Sequence, residues 1–307
     1  MVITYLILAH KNPAQVRRLL TKLHADAVSF LIAVNIRSDF REFQKEFRKL
    51  PSHIPYRFVS PRYDSEWGQV GIVRASLQGL KMALEQSPVP AYIVQVSGQS
   101  YPILPRSKIL EHFCSLHGKN IMQCIPFPFP SWPGGGWLRI QKYHYFTPRF
   151  LPFSKIRREY PADVSSRSLK EHVLNYFLKR RFPLPRVFPC GLKPCGGSQW
   201  WGISSKMAEY ILNFHKAHPE ALEFHRYTLM PDEIYFSSIV GSSPEWVQTI
   251  TQSHIHYCDW SKPIHPATLT MEHANTLKNL KDHLFARKFD ATVDSEILDW
   301  IDYNLLD

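Results

Sequence analysis

A strand, a helix and a second strand follow one another between Val2 and Asn35. VITYLILAH (residues 2–10) is a dense apolar run, as a strand covered on both faces requires. In NPAQVRRLLTKLH (12–24), Asn12 is placed to cap, Pro13 suits the first helical position, and Val16, Leu19, Leu20 and Leu23 recur at helical spacing. VSFLIAVN (28–35) is again a strand. So compact a βαβ unit implies a parallel sheet, and with it an α/β fold. The alternation continues through YRFVS (56–60), the helix GQVGIVRASLQGLKMALEQ (68–86), the strand AYIVQVSG (91–98) and the helix RSKILEHFCSL (106–116). No GxGxxG and no GxxxxGK followed by Ser or Thr occurs, so neither a dinucleotide fingerprint nor a P-loop is present.

From Ile125 the texture changes. IPFPFPSWPGGGW and RRFPLPRVFPCGLKPCGG are rich in Pro, Gly and aromatics, a composition suited to long ordered loops, with a basic helix RSLKEHVLNYFLKRRF (167–182) expected between them. Trp132, Trp137, Trp200 and Trp201 suit stacking on sugar rings or bases, or equally the packing that anchors such loops. Regular structure resumes with the strand SQWWGIS, the helix SKMAEYILNFHKAH, a helix over PDEIYFSSIVGSS, the strand ITQSHIHYCDW, and EHANTLKNLKDHLFARKFD as a helix and its exit. The expectation is one domain over 1–307, with a nucleotide-binding half (1–125) and an acceptor and catalytic half (126–307).

The 307 residues carry a formal charge of +11, which implies an anionic partner: nucleic acid, an acidic membrane surface or a phosphorylated ligand. A nucleic-acid module would use LKRRFPLPR as its contact patch, but a solvated basic face or a membrane footing accounts for that patch more simply. The apolar start is too short to span a bilayer and lacks a basic leader and a cleavage site, so a cytoplasmic protein is expected, peripheral to the inner face of the membrane through its basic side. Five cysteines suit a reducing compartment. Cys190 and Cys195 are spaced too widely for a zinc knuckle and no second pair follows, so no metal is expected there.

LMPDEIYFSSIV (229–240) sets Asp232 and Glu233 behind Pro231. Acids in a first helical turn are favoured by the macrodipole, and that alone accounts for one of them. HRYTLM before them offers no good N-cap, however, and a carboxylate at a helix start facing a cleft can serve as a general base. Adjacent helical residues diverge by about 100°, so only one of the pair can face a given substrate.

ILAHKNPAQVRRLL, VNIRSD, EWGQVGIVRASLQGL, YIVQVSGQSYPI, GGSQWWGIS, PDEIYFSSIV, HYCDW and HLFARKFDATVD run in order from Ile7 to Asp294. In this ordered set the chain resembles the core-2/I-branching N-acetylglucosaminyltransferases, which share a family with the peptide O-xylosyltransferases and with bacterial proteins. The resemblance implies a GT-A-like single domain with a mostly parallel central sheet, and inverting transfer of GlcNAc, xylose or a related sugar from a UDP-sugar to a hydroxyl. It implies no divalent metal and no other cofactor, so basic side chains must stabilise the departing UDP. The first half has no DxD motif.

Residue by residue, the Glu of the PDE string is the family's base and matches Glu233. The Lys of the HLFARKFD string contacts the diphosphate and matches Lys288, aided by Arg287, with His256 where a basic residue, usually Arg, is expected. The aspartate that serves the xylosyltransferase branch in its GSxW string is here Gln199, which cannot accept a proton usefully. His10, Asn35 and Arg37 lie at carboxyl strand ends, where open α/β sheets bind ligands, and are expected at the nucleotide. Ser198, Trp200 and Trp201 are expected to line the sugar or acceptor site, with Asp232 capping and orienting its helix. Asn35 and Ser100 stand where acids are usual, which leaves open a changed donor sugar or a catalytically degenerate homologue. The expected partners are a UDP-sugar and a glycan or lipid-linked saccharide acceptor in surface polysaccharide synthesis, with no nucleic acid.

Overall fold

The computed structural model describes residues 1–146, 157–160, 184–262 and 266–306. The expected basic helix over 167–182, and most of the LKRRFPLPR patch, lie outside the described residues.

Strands β1 (Ile3–Ala9), β2 (Val28–Val34), β3 (Tyr56–Phe58) and β4 (Tyr92–Ser97) form the parallel body of the central sheet. Its order is completed by β10 (Gly202–Ser204), which runs antiparallel to β4 on the outer edge, so the later half of the chain contributes a strand to the earlier half's sheet. The α/β expectation with a mostly parallel sheet flanked by helices therefore holds.

Side chains of β1 alternate between two cores, as a pleated strand must. Ile3, Tyr5 and Ile7 pack with α1 (Pro13–Leu23) and α2 (Phe40–Phe47), whereas Leu6 packs with α3 (Gly71–Leu84) and the helices Ser205–Ala217 and Tyr235–Gly241. Pro13 opens α1 as expected, but Asn12 does not cap it. Asn12 has a left-handed backbone (φ 51°) and its side chain donates to Asp290 Oδ1 at 2.7 Å, because a buried carboxylate across the chain competes for the amide.

Immediately after β4 the chain turns into β5 (Ser100–Pro102), which leaves the main sheet for a second one with β11 (His256–Cys258) and β12 (Phe285–Arg287). In this sheet Ser100 lies opposite Arg287, whose other neighbour is Cys258. The segment read as a helical exit is thus helix Ala274–Asn279 followed by a buried strand. α2 and β5 were not anticipated: one is short, the other hides in a turn.

No helix among the described residues is long and apolar enough to cross a membrane.

Candidate active site

The segment expected as one helix over PDEIYFSSIVGSS is broken. Pro231–Glu233 form a single 3-10 turn, Ile234 leaves helical geometry (φ −122°), and an α-helix resumes only at Tyr235. Met230 precedes the turn in a left-handed conformation (φ 52°) with its N–H donating to Gly68 O. Pinned in this way, Asp232 and Glu233 sit on a tight corner rather than on a regular helix.

Behind the corner runs Cys195–Gly196 (β9) and Gly197, whose N–H donates to Glu233 O at 2.9 Å. A Cβ on Gly197 would lie 2.1 Å from Gln123 O, so only glycine allows this approach. Ser198 then accepts from the Trp200 N–H through its hydroxyl at 3.2 Å, turning the chain into β10. Trp200 and Trp201, being adjacent in an extended segment, fall on opposite faces. Trp200 faces His256 (ring centroids 5.7 Å apart) and lies under the Arg287 guanidinium at 4.7 Å. Trp201 is 1% exposed, packed against Phe236 in the other core. The expectation that both tryptophans line a ligand site is therefore corrected: Trp201 is a core residue, placed there by strand alternation.

Glu233 is partly buried and its Oε2 accepts from Arg139 Nη1 at 2.6 Å. Arg139 in turn lies over the Trp132 ring at 3.6 Å. Asp232 is buried, and its Oδ1 has no hydrogen-bond partner among the described residues. Burial pushes both carboxyls upward. For Glu233, Arg139 and then Arg287 oppose the shift. For Asp232 the charge of Glu233 adds to it. Glu233 is gripped by Arg139 while Asp232 Oδ1 has no such partner, so Asp232 is the acid pushed toward the protonated form, up to about 7.

The second sheet supplies the cations. Arg287 is largely buried; burial lowers its pKa, while Cys258 and the two acids oppose that change. Lys288 is lowered by burial, then by Lys11 and Arg287. Exposed His10 is lowered by burial, then by Lys11, Lys288 and Arg287. Mutual depression of this kind is the signature of positive charge in excess. The two acids of the corner oppose it at Arg287, and Asp290 opposes it at Lys288 and His10. Asp290 pairs with Lys11 and is held well below the usual carboxylate range by Lys11, Thr292 and Asn12 against the cost of burial. The result is a field aimed at an anion, at the carboxyl ends of β1 and β4.

His256 is buried and its Nε2 is 2.8 Å from Ser100 Oγ, with Nδ1 lacking a partner among the described residues. Burial, then Arg287, holds its pKa well below the usual histidine range, so the ring is neutral at pH 7 and offers a hydrogen bond rather than charge. Asn35 is buried, and its Oδ1 accepts from the Arg37 N–H at 3.0 Å. Arg37 turns away from the cations, pairing with Asp64 and, at 3.6 Å, with Glu66. The structure thus gathers Glu233, Asp232, Arg287, Trp200 and His256 around one corner, and His10 and Lys288 with Arg287. Lys11, Arg139 and Asp290 were not singled out in the sequence, whereas Trp132 was. Lys11 and Asp290 stood inside quoted motifs, but nothing in one dimension pairs residues 279 positions apart.

The chain is similar to several known proteins. Xylosyltransferase 2 of Rattus norvegicus is 21% identical over 327 residues, covering 99% of this chain and 33% of that protein. Xylosyltransferase sqv-6 of Caenorhabditis elegans is 24% identical over 315 residues, covering 94% of this chain and 34% of that protein. The chain therefore spans about a third of the length of the curated relatives it matches. Among solved structures, mouse xyloside xylosyltransferase 1 in its apo form superposes with a TM-score of 0.40 at 11% identity, covering 93% of this chain and 97% of that one. The Core-2/I-Branching enzyme family model matches residues 3–282, and the chain belongs to that family.

Proposed function

We propose that this chain transfers a sugar from a UDP-sugar to a hydroxyl group of a glycan or protein acceptor, with inversion and without a divalent metal. The observation that carries the reading is the corner where Glu233, gripped by Arg139, meets the cationic cluster of Arg287, Lys288 and Lys11. In this reading Glu233 takes the proton of the acceptor hydroxyl. The freed oxygen attacks the anomeric carbon from the face opposite the diphosphate, and UDP leaves with the bonding electron pair. Arg287 and Lys288 stabilise the charge that develops on the diphosphate, the work a metal does elsewhere. Trp200, buried beneath Arg287, holds that guanidinium in place, with neutral His256 packed beside it. An acceptor in surface polysaccharide synthesis, lipid-linked or free, fits the same chemistry.

Two of the departures from the family pattern support a working site over a degenerate one. Ser100 and His256, standing where Asp and a basic residue are usual, touch each other at 2.8 Å. A neutral pair at these two positions leaves no charge orphaned.

The test is a thermal-shift screen against UDP, UDP-xylose, UDP-GlcNAc and other UDP-sugars, with and without EDTA, followed by an assay of UDP release. A ligand at about 100 times its dissociation constant adds about 2.7 kcal/mol. A selective shift that survives EDTA, with turnover of that donor, is expected. A shift without turnover on any acceptor would identify a degenerate homologue, and no shift at all would remove the nucleotide reading.

A further inference from the structure

Away from that corner, three side chains of different chemistry converge on one point. Cys190 lies in the 3-10 turn Pro189–Gly191, where both Cys190 (φ 60°) and Gly191 (φ 64°) adopt left-handed backbone. His218 joins helix Ser205–Ala217 to helix Pro219–His225, and Glu220 lies in the first turn of the latter. The Cys190 thiol donates to Glu220 Oε1 at 3.2 Å, and His218 Nδ1 lies 3.2 Å from the same oxygen. One ligand atom from each residue falls within 4.8 Å of the others. Cys190 and His218 are partly buried and Glu220 is open to solvent.

We propose that Cys190, His218 and Glu220 form a zinc site that fastens the turn at 189–191 to the junction of the two helices. A tetrahedral zinc ion with bonds of ~2.0 Å to N and O and ~2.3 Å to S needs ligand separations of about 3.3–3.5 Å; the two to Glu220 Oε1 are 3.2 Å and the third lies within 4.8 Å. The donor set selects the metal. A thiolate and an imidazole suit zinc, whereas magnesium and calcium demand oxygen ligands. On binding, the thiol gives up its proton to solvent and thiolate, carboxylate and neutral imidazole balance the ion's two charges, with water at the exposed fourth position.

The clamp has a counterpart nearby. Arg186, just upstream of the turn, donates through Nη2 to Phe224 O at 2.7 Å and through Nη1 to Lys142 O at 2.6 Å. The segment is thus already tied to the second helix once, and a metal would tie it at that helix's other end. This site is separate from transfer chemistry: none of its ligands is among the residues assigned to donor or acceptor.

The experiment is zinc binding by the purified chain after dialysis against EDTA, measured by competition with a fluorescent zinc chelator. Cobalt substitution and the thermal midpoint are read in parallel. About one zinc per chain, a raised midpoint, and a thiolate-to-cobalt charge-transfer band with tetrahedral d–d absorption are expected. Cys190→Ser and His218→Ala should each weaken binding by more than the roughly 10–100-fold that loss of a supporting contact costs. Cys114→Ser, at an exposed cysteine on α4 (Arg106–Ser115), should not. Circular dichroism of the variants confirms that they fold. Zinc binding unchanged in Cys190→Ser and His218→Ala, no zinc bound by the folded wild type, or an octahedral cobalt spectrum without a thiolate band would each overturn the site.

Discussion

The acidic corner and the cationic edge face opposite versions of one electrostatic problem. At the corner burial pushes both carboxyls toward the neutral form, and the charge of Glu233 adds to the push on Asp232. At the edge burial pushes Arg287 and Lys288 toward losing their protons, and for Lys288 the charges of Lys11 and Arg287 add to it. The corner eases its conflict by giving Glu233 an arginine, while Asp232 is pushed toward the protonated form. The edge sets Asp290, and the two acids facing Arg287, against several cations, and so keeps a demand for an anion. A base and a leaving-group site need this asymmetry: the base has to hold its charge before substrate arrives, and the cations have to lack a partner until it does.

Removing the charge at the corner should give the largest effect. Glu233→Gln is expected to lower kcat by about 10²–10⁴ while leaving the UDP-induced thermal shift intact. Equal loss of UDP binding and turnover would move Glu233 from base to donor ligand. At the edge, Arg287→Ala should weaken UDP by about 2 kcal/mol or more, roughly 30-fold, since a desolvated partner of the diphosphate is lost. Lys288→Ala, at a more open position, should do less. Isothermal titration with UDP checks both, and unchanged affinity in both variants would dissolve the contrast between the two regions.

Much of this contrast was legible in one dimension. The βαβ rhythm gave the parallel sheet because apolar runs and caps are local signals. The PDE and HLFARKFD strings gave Glu233, Lys288 and Arg287 because each travels with fixed neighbours. What escaped was whatever depends on meetings between distant segments. Arg139 lies 94 positions before Glu233, in the short helix Trp137–Gln141 that follows a stretch whose composition announces aromatics but not an ion pair. The two adjacent tryptophans carry the same sequence signal, yet one is buried under Arg287 in one core and the other in the core on the opposite face of the sheet. Cys190 was weighed against Cys195, its neighbour in sequence, when its partners in space are His218 and Glu220.

The protonation assigned to the corner has its own test. Asp232 has a raised pKa in the folded chain, so its burial is tolerated fully below the unfolded value of about 3.9 and costs stability as pH rises through the folded value. Asp232→Asn should therefore match wild type near the unfolded value and become progressively more stable than wild type as pH rises, levelling off above the folded pKa. Denaturant melts across that range check it. An Asn variant less stable than wild type at neutral pH would mean that Asp232 is ionised and paired.

The smallest effect is expected at Arg37, and it sets the outer boundary of the cationic edge. Its place after β2 made it a candidate for the nucleotide, yet its guanidinium is engaged by Asp64 and Glu66. An arginine already neutralised by two carboxylates adds little field, and an exposed pair of this kind contributes about 0–1 kcal/mol to stability. Arg37→Ala should thus change UDP affinity less than Lys288→Ala does, with a thermal midpoint near that of wild type. If it weakens UDP as much as Arg287→Ala, the arginine must leave its acids when nucleotide binds. The edge would then run from β12 across β1 to the end of β2, with Asp64 and Glu66 holding Arg37 in reserve as Asp290 holds Lys11.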